Sequence, residues 1–265
     1  MRAFRIAYDG RPFSGFQRQP DVPTVEVGIF DALRELGIFE GEAPPGYAAA
    51  GRTDAGVSAL AQTVAFEAPA WCSPAALNSE LPTGVRSWAS ADVPDGFHAT
   101  HDAVRREYLY HLYAPDLDDG LARDALARLS GEHDFHNLTP DDRGTVRDVA
   151  ATAERDGEFL VVRVAAGGFA RELVRRIVSL ARAVGAGSAP LSKVGRVLGD
   201  EVIDGPAGVP PAPPEPLVLV DVVYPDVEFT VDESSAPYVR EWFDERRVAG
   251  LVAARVGATI RDGVG

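Results

Sequence analysis

Two successive runs of alternating strands and amphipathic helices are the feature that most restricts the fold of this sequence. The predicted strands and helices lie, in chain order, at residues 2–8, 24–36, 60–66, 74–81, 85–93, 104–113, 121–129, 146–155, 159–164, a helix that follows Gly168 and reaches Val184, 217–223 and 233–255. The repeated pattern predicts an α+β protein in which two α/β halves share one sheet and meet at a cleft.

Local signals support several of these elements. Thr24 is suited to cap the first helix, and Gly37 is suited to end it. Asp156-Gly157 between two alternating segments is a strong β-hairpin signal. The polar stretch 131–137 is interpreted as a loop. We therefore predict an N-terminal half at residues 1–103 and a C-terminal half at residues 104–265, which includes an acidic C-terminal helix.

The composition excludes several protein classes. The chain has 265 residues and one cysteine, Cys72, so an internal disulfide framework and a cysteine-ligated zinc site are ruled out. No run of 18 apolar residues is present, which predicts that nothing spans a membrane. The N-terminus leads directly into a strand and lacks the features of a signal peptide, so we expect a cytoplasmic protein.

The charge balance is unusual. The net charge is −14, and of 26 basic residues only Lys193 is a lysine. A net negative charge disfavours binding to phosphates, but lysine depletion with excess acid is typical of adaptation to molar salt, where the Debye length falls to about 3 Å. Net charge therefore decides neither for nor against an RNA partner. The composition indicates a halophile.

The loop Gly51-Arg52-Thr53-Asp54-Ala55-Gly56-Val57 is the first candidate site. Its glycines permit tight turns and the close approach of a ligand. Arg52 favours the ionised form of Asp54, and an ionised, positioned carboxylate is a nucleophile, a general base or a stabiliser of a cation. The alternative is an ordinary loop salt bridge with an Asx-turn, and the loop pattern alone favours that alternative.

The other candidates have equally ordinary alternatives. Tyr108 fits a half-exposed strand aromatic. Arg175 lies opposite the apolar stripe of its helix, where periodicity indicates a solvated face. His133 and His136 suggest a metal, but no cysteine or third histidine lies close by in the sequence, so no metal site is predicted. No Walker or dinucleotide-binding fingerprint is present.

Several motifs, in order, resemble those of the TruA-type tRNA pseudouridine synthases over residues 2–224. They are Tyr8-Asp9-Gly10 with Gly15-Phe16-Gln17-Arg18-Gln19, the 51–57 loop, Leu77-Asn78 with Leu81-Pro82, Phe97-His98-Ala99, Arg106-Glu107-Tyr108-Leu109-Tyr110, Gly131-Glu132-His133-Asp134-Phe135 and Leu173-Val174-Arg175-Arg176-Ile177-Val178. The chain departs from the family at Ser58, usually histidine, at Thr100, usually arginine, and at Leu173, usually methionine.

The resemblance implies a fold and an activity. The fold is the pseudouridine synthase fold, with two α/β halves on a continuous antiparallel sheet and a central active-site cleft. The activity is isomerisation of uridine to pseudouridine in the anticodon stem-loop of tRNA, at positions 38–40 in family members. The resemblance implies no cofactor and no metal, tRNA as the partner, and a homodimer.

The resemblance also assigns roles to residues. Asp54 acts at the ribose C1′ of a flipped-out uridine, and Arg52 fills the gap left in the base stack. Tyr108 stacks on the base and is a candidate general base. Arg175 pairs with Asp54 and holds it in place. The implied substrate-binding residues are Tyr108, Phe16, Gln17, Arg18 and Arg106.

Two rival interpretations stay open. One is a catalytically silent RNA-binding protein on the same scaffold, which the presence of Arg52, Asp54, Tyr108 and Arg175 disfavours. The other is a dimeric α+β protein that binds a small molecule. The arginine- and aromatic-rich loop at residues 11–18 favours RNA over that.

Overall fold

The computed structural model describes residues 1–203 and 205–264, and over those residues ten strands form one sheet. The strands are β1 Arg2–Tyr8, β2 Ala48–Ala49, β3 Ser58–Phe66, β4 Val85–Asp92, β5 Arg105–Tyr113, β6 Gly131–Asp134, β7 Val146–Asp156, β8 Phe159–Ala166, β9 Leu217–Val223 and β10 Thr230–Val231. The α-helices are α1 Val25–Glu35, α2 Pro74–Glu80, α3 Asp119–Leu129, α4 Leu173–Gly185, α5 Ser192–Val197 and α6 Ser235–Gly263.

The sheet is continuous across the molecule. Its order is β10-β4-β1-β3-β9-β5-β8-β7-β6, with β2 paired to β3 outside this path. The predicted antiparallel sheet is confirmed with one exception at the centre, where Ser58 and Ala59 of β3 pair in parallel with Val218 and Leu219 of β9. Strand β9 also pairs antiparallel with β5, so this late strand joins the two sides of the sheet.

Each side of the sheet has its own apolar core. One core contains the buried faces of α1 and α2 with β1 and β3, and the other contains α3 and α4 with β5, β7 and β8. Strand β9 contributes to both cores. The division into halves at residues 1–103 and 104–265 stays a prediction. The C-terminal segment departs from that division, because β10 pairs with β4 and α6 packs on β4 and α2.

The local signals in the sequence correspond to observed caps and turns. Thr24 accepts a hydrogen bond from the Val27 N–H at 3.4 Å and caps α1. Ser73 caps α2 in the same way, and Pro74 occupies its first turn. Strands β7 and β8 form the expected hairpin, and Gly157 takes the left-handed conformation that its tight turn requires.

Three boundaries differ from the prediction. Residues 131–134 are not a loop but the edge strand β6, which pairs with β7 from Gly131↔Val149 onward. Helix α4 begins at Leu173 and not directly after Gly168, because Glu172 has a φ of 59° and interrupts the helical conformation. Helix α6 reaches Gly263, eight residues beyond the predicted end at Arg255. Over the described residues, no helix has the length and apolar character needed to cross a membrane.

Candidate active site

The Asp54 loop lies in a cleft of about 780 Å³ at the junction of the two cores. The loop follows β2 and precedes β3, so it stands at the centre of the sheet. The cleft walls come from both halves: Gln17 and Arg52 from the first, and Tyr108, Phe169 and Arg175 from the second. The cleft predicted from the two-half pattern is therefore present, and the predicted catalytic residues line it.

Hydrogen bonds from three elements fix the loop. The Gln62 side-chain amide of β3 donates to the Gly51 carbonyl at 2.7 Å. The Arg106 guanidinium of β5 donates to the Ala50 carbonyl at 2.8 Å. The hydroxyls of Tyr8 and Thr53 lie 2.7 Å apart. A loop anchored on β1, β3 and β5 presents its next residue, Asp54, in a fixed position.

Two glycines allow this close packing. A Cβ on Gly10 would lie 2.1 Å from the Val57 carbonyl oxygen, so the first motif and the loop fit together only with glycine there. Gly56 has a φ of +83°, which favours glycine. The Val57 N–H then donates to the Asp54 carbonyl at 3.1 Å and closes the turn. The glycine-bracketed sequence thus encodes a tight, specific loop.

Asp54 and Arg175 form an ion pair across the cleft floor. The distance from Arg175 Nη1 to Asp54 Oδ2 is 3.0 Å, and the side chains are 14% and 34% exposed, respectively. The Nε of Arg175 donates to the Ala212 carbonyl at 2.7 Å, which holds the guanidinium in place. The expected pairing is confirmed, and the solvated-face interpretation of Arg175 is wrong, because that face of α4 lies over the cleft.

Tyr108 contributes a ring to the cleft wall. Its ring meets Phe169 edge-to-face, with centroids 5.3 Å apart. Burial raises the pKa of Tyr108 to about 12; the Arg106 cation offsets part of this rise, and the Asp54 charge adds to it. A phenol with this pKa is protonated at neutral pH, so it is suited to stack and to donate a hydrogen bond. The structure of the free protein does not tune Tyr108 to act as a general base.

The remaining predicted site residues divide into two groups. Arg52 and Gln17 line the cleft, and Arg52 is exposed. Arg18 is partly exposed, donates to the Glu42 carbonyl at 2.8 Å and lies over the Phe30 ring. The side chains of Phe16 and Arg106 are buried, unlike those of Arg52, Gln17 and Arg18. Phe16 also lines the cleft, but its side chain is 1% exposed and packs in the first core. The contact of its ring with substrate stays a prediction.

Arg106 is likewise a supporting residue. Its guanidinium is buried and donates to main-chain carbonyls of Ala50, Thr100 and Gly167. Burial lowers the pKa of Arg106. The side chain therefore ties the Asp54 loop to the loop before α4, and its donors are occupied within the protein. Arg106 also lines the cleft, and its direct contact with RNA stays a prediction that these hydrogen bonds do not favour.

Several cleft residues were not predicted as site residues. Arg171 pairs with Asp141 at 2.5 Å near the cleft rim, and Arg147 lies close by. His98 and His101 face each other with ring centroids 4.1 Å apart and also line the cleft. In the sequence, the Gly167-Gly168 pair just before Phe169 is the feature that could have indicated this wall of the cleft. His98 belongs to the motif Phe97-His98-Ala99, which by itself gives it no role, and the position of Arg147 depends on packing that no local pattern reveals.

The departures from the family motifs have local roles. Ser58 Oγ accepts a hydrogen bond from the Gly10 N–H at 3.0 Å. Thr100 Oγ1 donates to the Ala49 carbonyl at 2.5 Å. His133 Nε2 contacts the Ser130 carbonyl, and within the described part of the chain no group of three metal-ligating side chains is found. Ser58 thus links the start of β3 to the first motif, and Thr100 contacts the end of β2, just before the Asp54 loop.

Comparisons with known proteins give the family. The family model described as tRNA pseudouridine synthase matches residues 125–225. A tRNA pseudouridine synthase A of Haloarcula marismortui is 61% identical, with full coverage of both chains. Another, of Natronomonas pharaonis, is 61% identical over 98% of each chain. The chain belongs to the tRNA pseudouridine synthase family.

As a tRNA pseudouridine synthase family member, the chain has relatives among halophiles, which supports the halophile interpretation of its composition. Among solved structures, a chain of the archaeal box H/ACA sRNP Nop10-Cbf5 complex is similar over 69% of this chain and 44% of that one, at 17% identity and a TM-score of 0.36. The continuous, mostly antiparallel sheet with a central cleft is the pseudouridine synthase fold expected from the resemblance.

Proposed function

We propose that this protein isomerises uridine to pseudouridine in tRNA, in the anticodon stem-loop at positions 38–40. Asp54 acts at the ribose C1′ of a uridine that has been flipped into the cleft. The observation that carries the proposal is the Asp54–Arg175 ion pair at the floor of a cleft shared by both halves. Full-length relatives that bear the name tRNA pseudouridine synthase A support the choice of substrate.

The reaction is an isomerisation, so the nucleotide has the same composition before and after it. The C1′–N1 bond breaks, and positive charge develops at C1′ as in glycoside cleavage. Asp54, with its carboxylate held by Arg175, faces that charge. The uracil then rotates, a C1′–C5 bond forms, the C5 hydrogen leaves as a proton and N1 gains a proton. A covalent Asp54 adduct and a glycal intermediate both fit this geometry.

The cleft residues have distinct proposed tasks. Tyr108 stacks on the flipped base, with Phe169 supporting its ring. Arg52 is exposed at the rim and fills the gap in the RNA stack. Gln17, Arg18, Arg147 and Arg171 supply polar and cationic contacts to the RNA. We further infer that the protein is cytoplasmic, is a homodimer and needs neither cofactor nor metal.

The protein carries net charge −14, so its RNA contacts depend on where cations are placed. The cleft lining contains more arginines than acidic residues, so it does not share the negative excess of the whole chain; the arginines are Arg52, Arg106, Arg147, Arg171 and Arg175, and the acids are Glu26, Asp54, Asp141 and Glu172. Arginine stacks on bases and binds phosphates in a bidentate manner, contacts that survive screening in salt. The local distribution of charge thus favours RNA despite the overall sign.

One assay tests the proposal. The protein is incubated at molar salt with tRNA that carries tritium at uridine C5, and released tritium is measured. Asp54→Asn keeps the shape and loses the nucleophile, so release falls roughly 10³-fold or more while tRNA binding persists. Asp148→Asn, at an exposed position on β7, is the matched control and keeps full activity.

Two outcomes would count against the proposal. Full tritium release by Asp54→Asn would remove Asp54 from the mechanism. Wild-type protein that binds tRNA but releases no tritium over a range of salt concentrations would favour the silent RNA-binding alternative. The intact Asp54–Arg175 pair disfavours that alternative, because binding alone needs no ion pair at the cleft floor.

A further inference from the structure

The chain between β8 and α4, residues 167–172, forms one wall of the cleft without regular secondary structure. Phe169 in this segment packs against the ring of Tyr108, with centroids 5.3 Å apart. The segment begins with two glycines, which leave the backbone many accessible conformations. It ends at Glu172, whose φ of 59° is rarely adopted by a residue with a Cβ. A segment of this kind keeps one conformation only where neighbouring groups hold it.

Over the residues that the structure describes, two side chains from elsewhere in the chain hydrogen-bond the main chain of this segment. Arg106 donates to the Gly167 carbonyl at its start. Near its end, Asp141 Oδ2 accepts the main-chain N–H of Arg171 at 2.9 Å. The other carboxylate oxygen, Oδ1, accepts a hydrogen bond from Arg171 Nε at 2.5 Å. Asp141 thus binds both the backbone and the side chain of one residue, two positions after Phe169.

Asp141 is itself anchored on the core that contains α3 and α4. Leu138, three residues earlier, is fully buried in that core. Thr139 is also buried, and its Oγ1 accepts the Asp141 N–H at 3.1 Å. Pro140, between them, restricts the backbone through its fixed φ. The Asp141 carboxylate therefore has a defined position, and its hydrogen bonds give the segment 167–172 a defined position too.

The main-chain hydrogen bond contributes more to this than the ion pair. The Arg171 side chain is 67% exposed, and an exposed ion pair stabilises little and is weakened further by salt. A main-chain N–H that donates to an ionised carboxylate forms a strong, charge-assisted hydrogen bond. The Arg171 N–H is the main cause that lowers the pKa of Asp141, so this acceptor is ionised at neutral pH. Its effect on the segment therefore persists at molar salt.

We infer that Asp141 is a positioning residue for the isomerisation and acts through Phe169. By holding Arg171, it keeps the Phe169 ring against Tyr108, and Tyr108 then keeps the orientation in which it stacks on the flipped base. The hydrogen bonds of Asp141 go to Arg171 and Thr139, so its effect on the reaction is indirect. The inference rests on the proposed function, because Tyr108 has this task only when a base enters the cleft.

Steady-state tritium release from tRNA at molar salt tests the inference through kcat and KM. Asp141→Ala should lower kcat about 10-fold or more, because a small displacement of an aligned group is costly in rate. KM should change less than about 2-fold, since the loss falls on the reacting geometry and not on binding. Asp141→Asn keeps an oxygen for the Arg171 N–H and should recover most of the rate. Asp142→Ala, at the exposed neighbouring position, is the matched control and should keep both constants.

A double-mutant cycle checks that the effect passes through Phe169. Phe169→Ala removes the ring that Asp141 holds in place. Adding Asp141→Ala to Phe169→Ala should then lower kcat less than about 2-fold further, because both changes remove the same contribution. Two independent effects would instead multiply. Denaturant unfolding of every variant separates a lower kcat from a smaller amount of folded protein.

Four outcomes would overturn the inference while the proposed function stands. Asp141→Ala keeps the wild-type kcat, Asp141→Asn loses as much rate as Asp141→Ala, Asp142→Ala loses as much rate as Asp141→Ala, or the losses from Asp141→Ala and Phe169→Ala multiply in full. In the first case, a lower KM would show that Asp141 only withholds Arg171 from RNA phosphates. Wild-type protein that releases no tritium would remove the proposed function and the inference together, so the two failures are distinguishable.

Discussion

At the scale of single residues, the geometry of the Asp54–Arg175 pair fixes the orientation of the carboxylate in the cleft. One guanidinium contacts both the Asp54 carboxylate and the Ala212 carbonyl. Only a planar group with several donors satisfies both acceptors at once, and a lysine ammonium is a single point of charge. We therefore propose that Arg175 is a positioning residue that keeps the carboxylate in one orientation through the reaction.

Arg175→Lys should lower kcat about 10- to 100-fold, which corresponds to about 1.4–2.7 kcal/mol of transition-state stabilisation. KM should change little, because Arg175 lies under Asp54 and not at the rim where RNA binds. Steady-state tritium release measures both constants. Arg182→Lys on the same helix is the control. A rise in KM with unchanged kcat would show that Arg175 binds substrate and does not position the carboxylate.

Tyr108 gives a prediction about pH. Burial raises its pKa to about 12, so the phenol stays protonated over the neutral range. We expect the pH dependence of kcat from roughly pH 6 to 9 to be the same in wild type and Tyr108→Phe, whatever the loss in rate. The opposite result would be a change of kcat with pH near neutrality that wild type shows and Tyr108→Phe lacks. It would mean that the phenol loses its proton and acts as a general base when substrate binds.

At the scale of elements, the catalytic loop depends on its contact with the first motif. Gly10→Ala would place a methyl group 2.1 Å from the Val57 carbonyl oxygen. We expect a loss of about 1–3 kcal/mol in the free energy of unfolding, together with lower activity, because the Asp54 loop must shift. Denaturant unfolding measures the stability change.

Gly250→Ala in helix α6 is the matched control for this substitution. A Cβ there meets no atom within 4 Å, and alanine favours a helix over glycine by about 1 kcal/mol. The control should therefore be neutral or slightly stabilising. Equal effects of the two substitutions would contradict the close packing of Gly10 against the loop.

Local signals in the sequence were sufficient for most elements. Thr24, Pro74 and Asp156-Gly157 each mark a boundary through short-range chemistry, and the structure has caps or turns at all three. The parallel pairing of β3 with β9 and the edge strand β6 were not predictable in this way. The pairing of β3 with β9 joins segments far apart in the chain, and β6 is a polar four-residue strand without the alternating apolar residues that mark a strand.

The sequence likewise predicts some residues of the candidate site and not others. Asp54 and Arg175 came from motifs, and their pairing is present in the structure. A phenylalanine in a glycine-rich loop gives no sign of whether it faces the core or the cleft, and Phe16 lines the cleft while it is buried in the first core. The motif Phe97-His98-Ala99 by itself assigns His98 no place in a site, and only the tertiary fold brings Arg147 to the cleft.

At the scale of the whole molecule, the net charge of −14 makes stability depend on salt. Repulsion among acidic side chains opposes the compact state, and its range falls from about 10 Å at 0.1 M salt to about 3 Å at 1 M. The melting temperature should therefore rise as potassium chloride increases over that range. Calorimetry at several salt concentrations measures it, and a melting temperature that is flat or falling with salt would contradict the expectation.

Strand β9 sets an order of events during synthesis. Asp54 and Arg175 are both translated before Leu217, yet the sheet that brings them together is joined through β9, between β3 and β5. Until that strand emerges from the ribosome, β3 and β5 each lack a neighbouring strand. The later pairing of β9 with β3 also closes a long loop of chain, which makes it slow. A nascent chain that ends before Leu217 thus contains the catalytic side chains without an assembled active site.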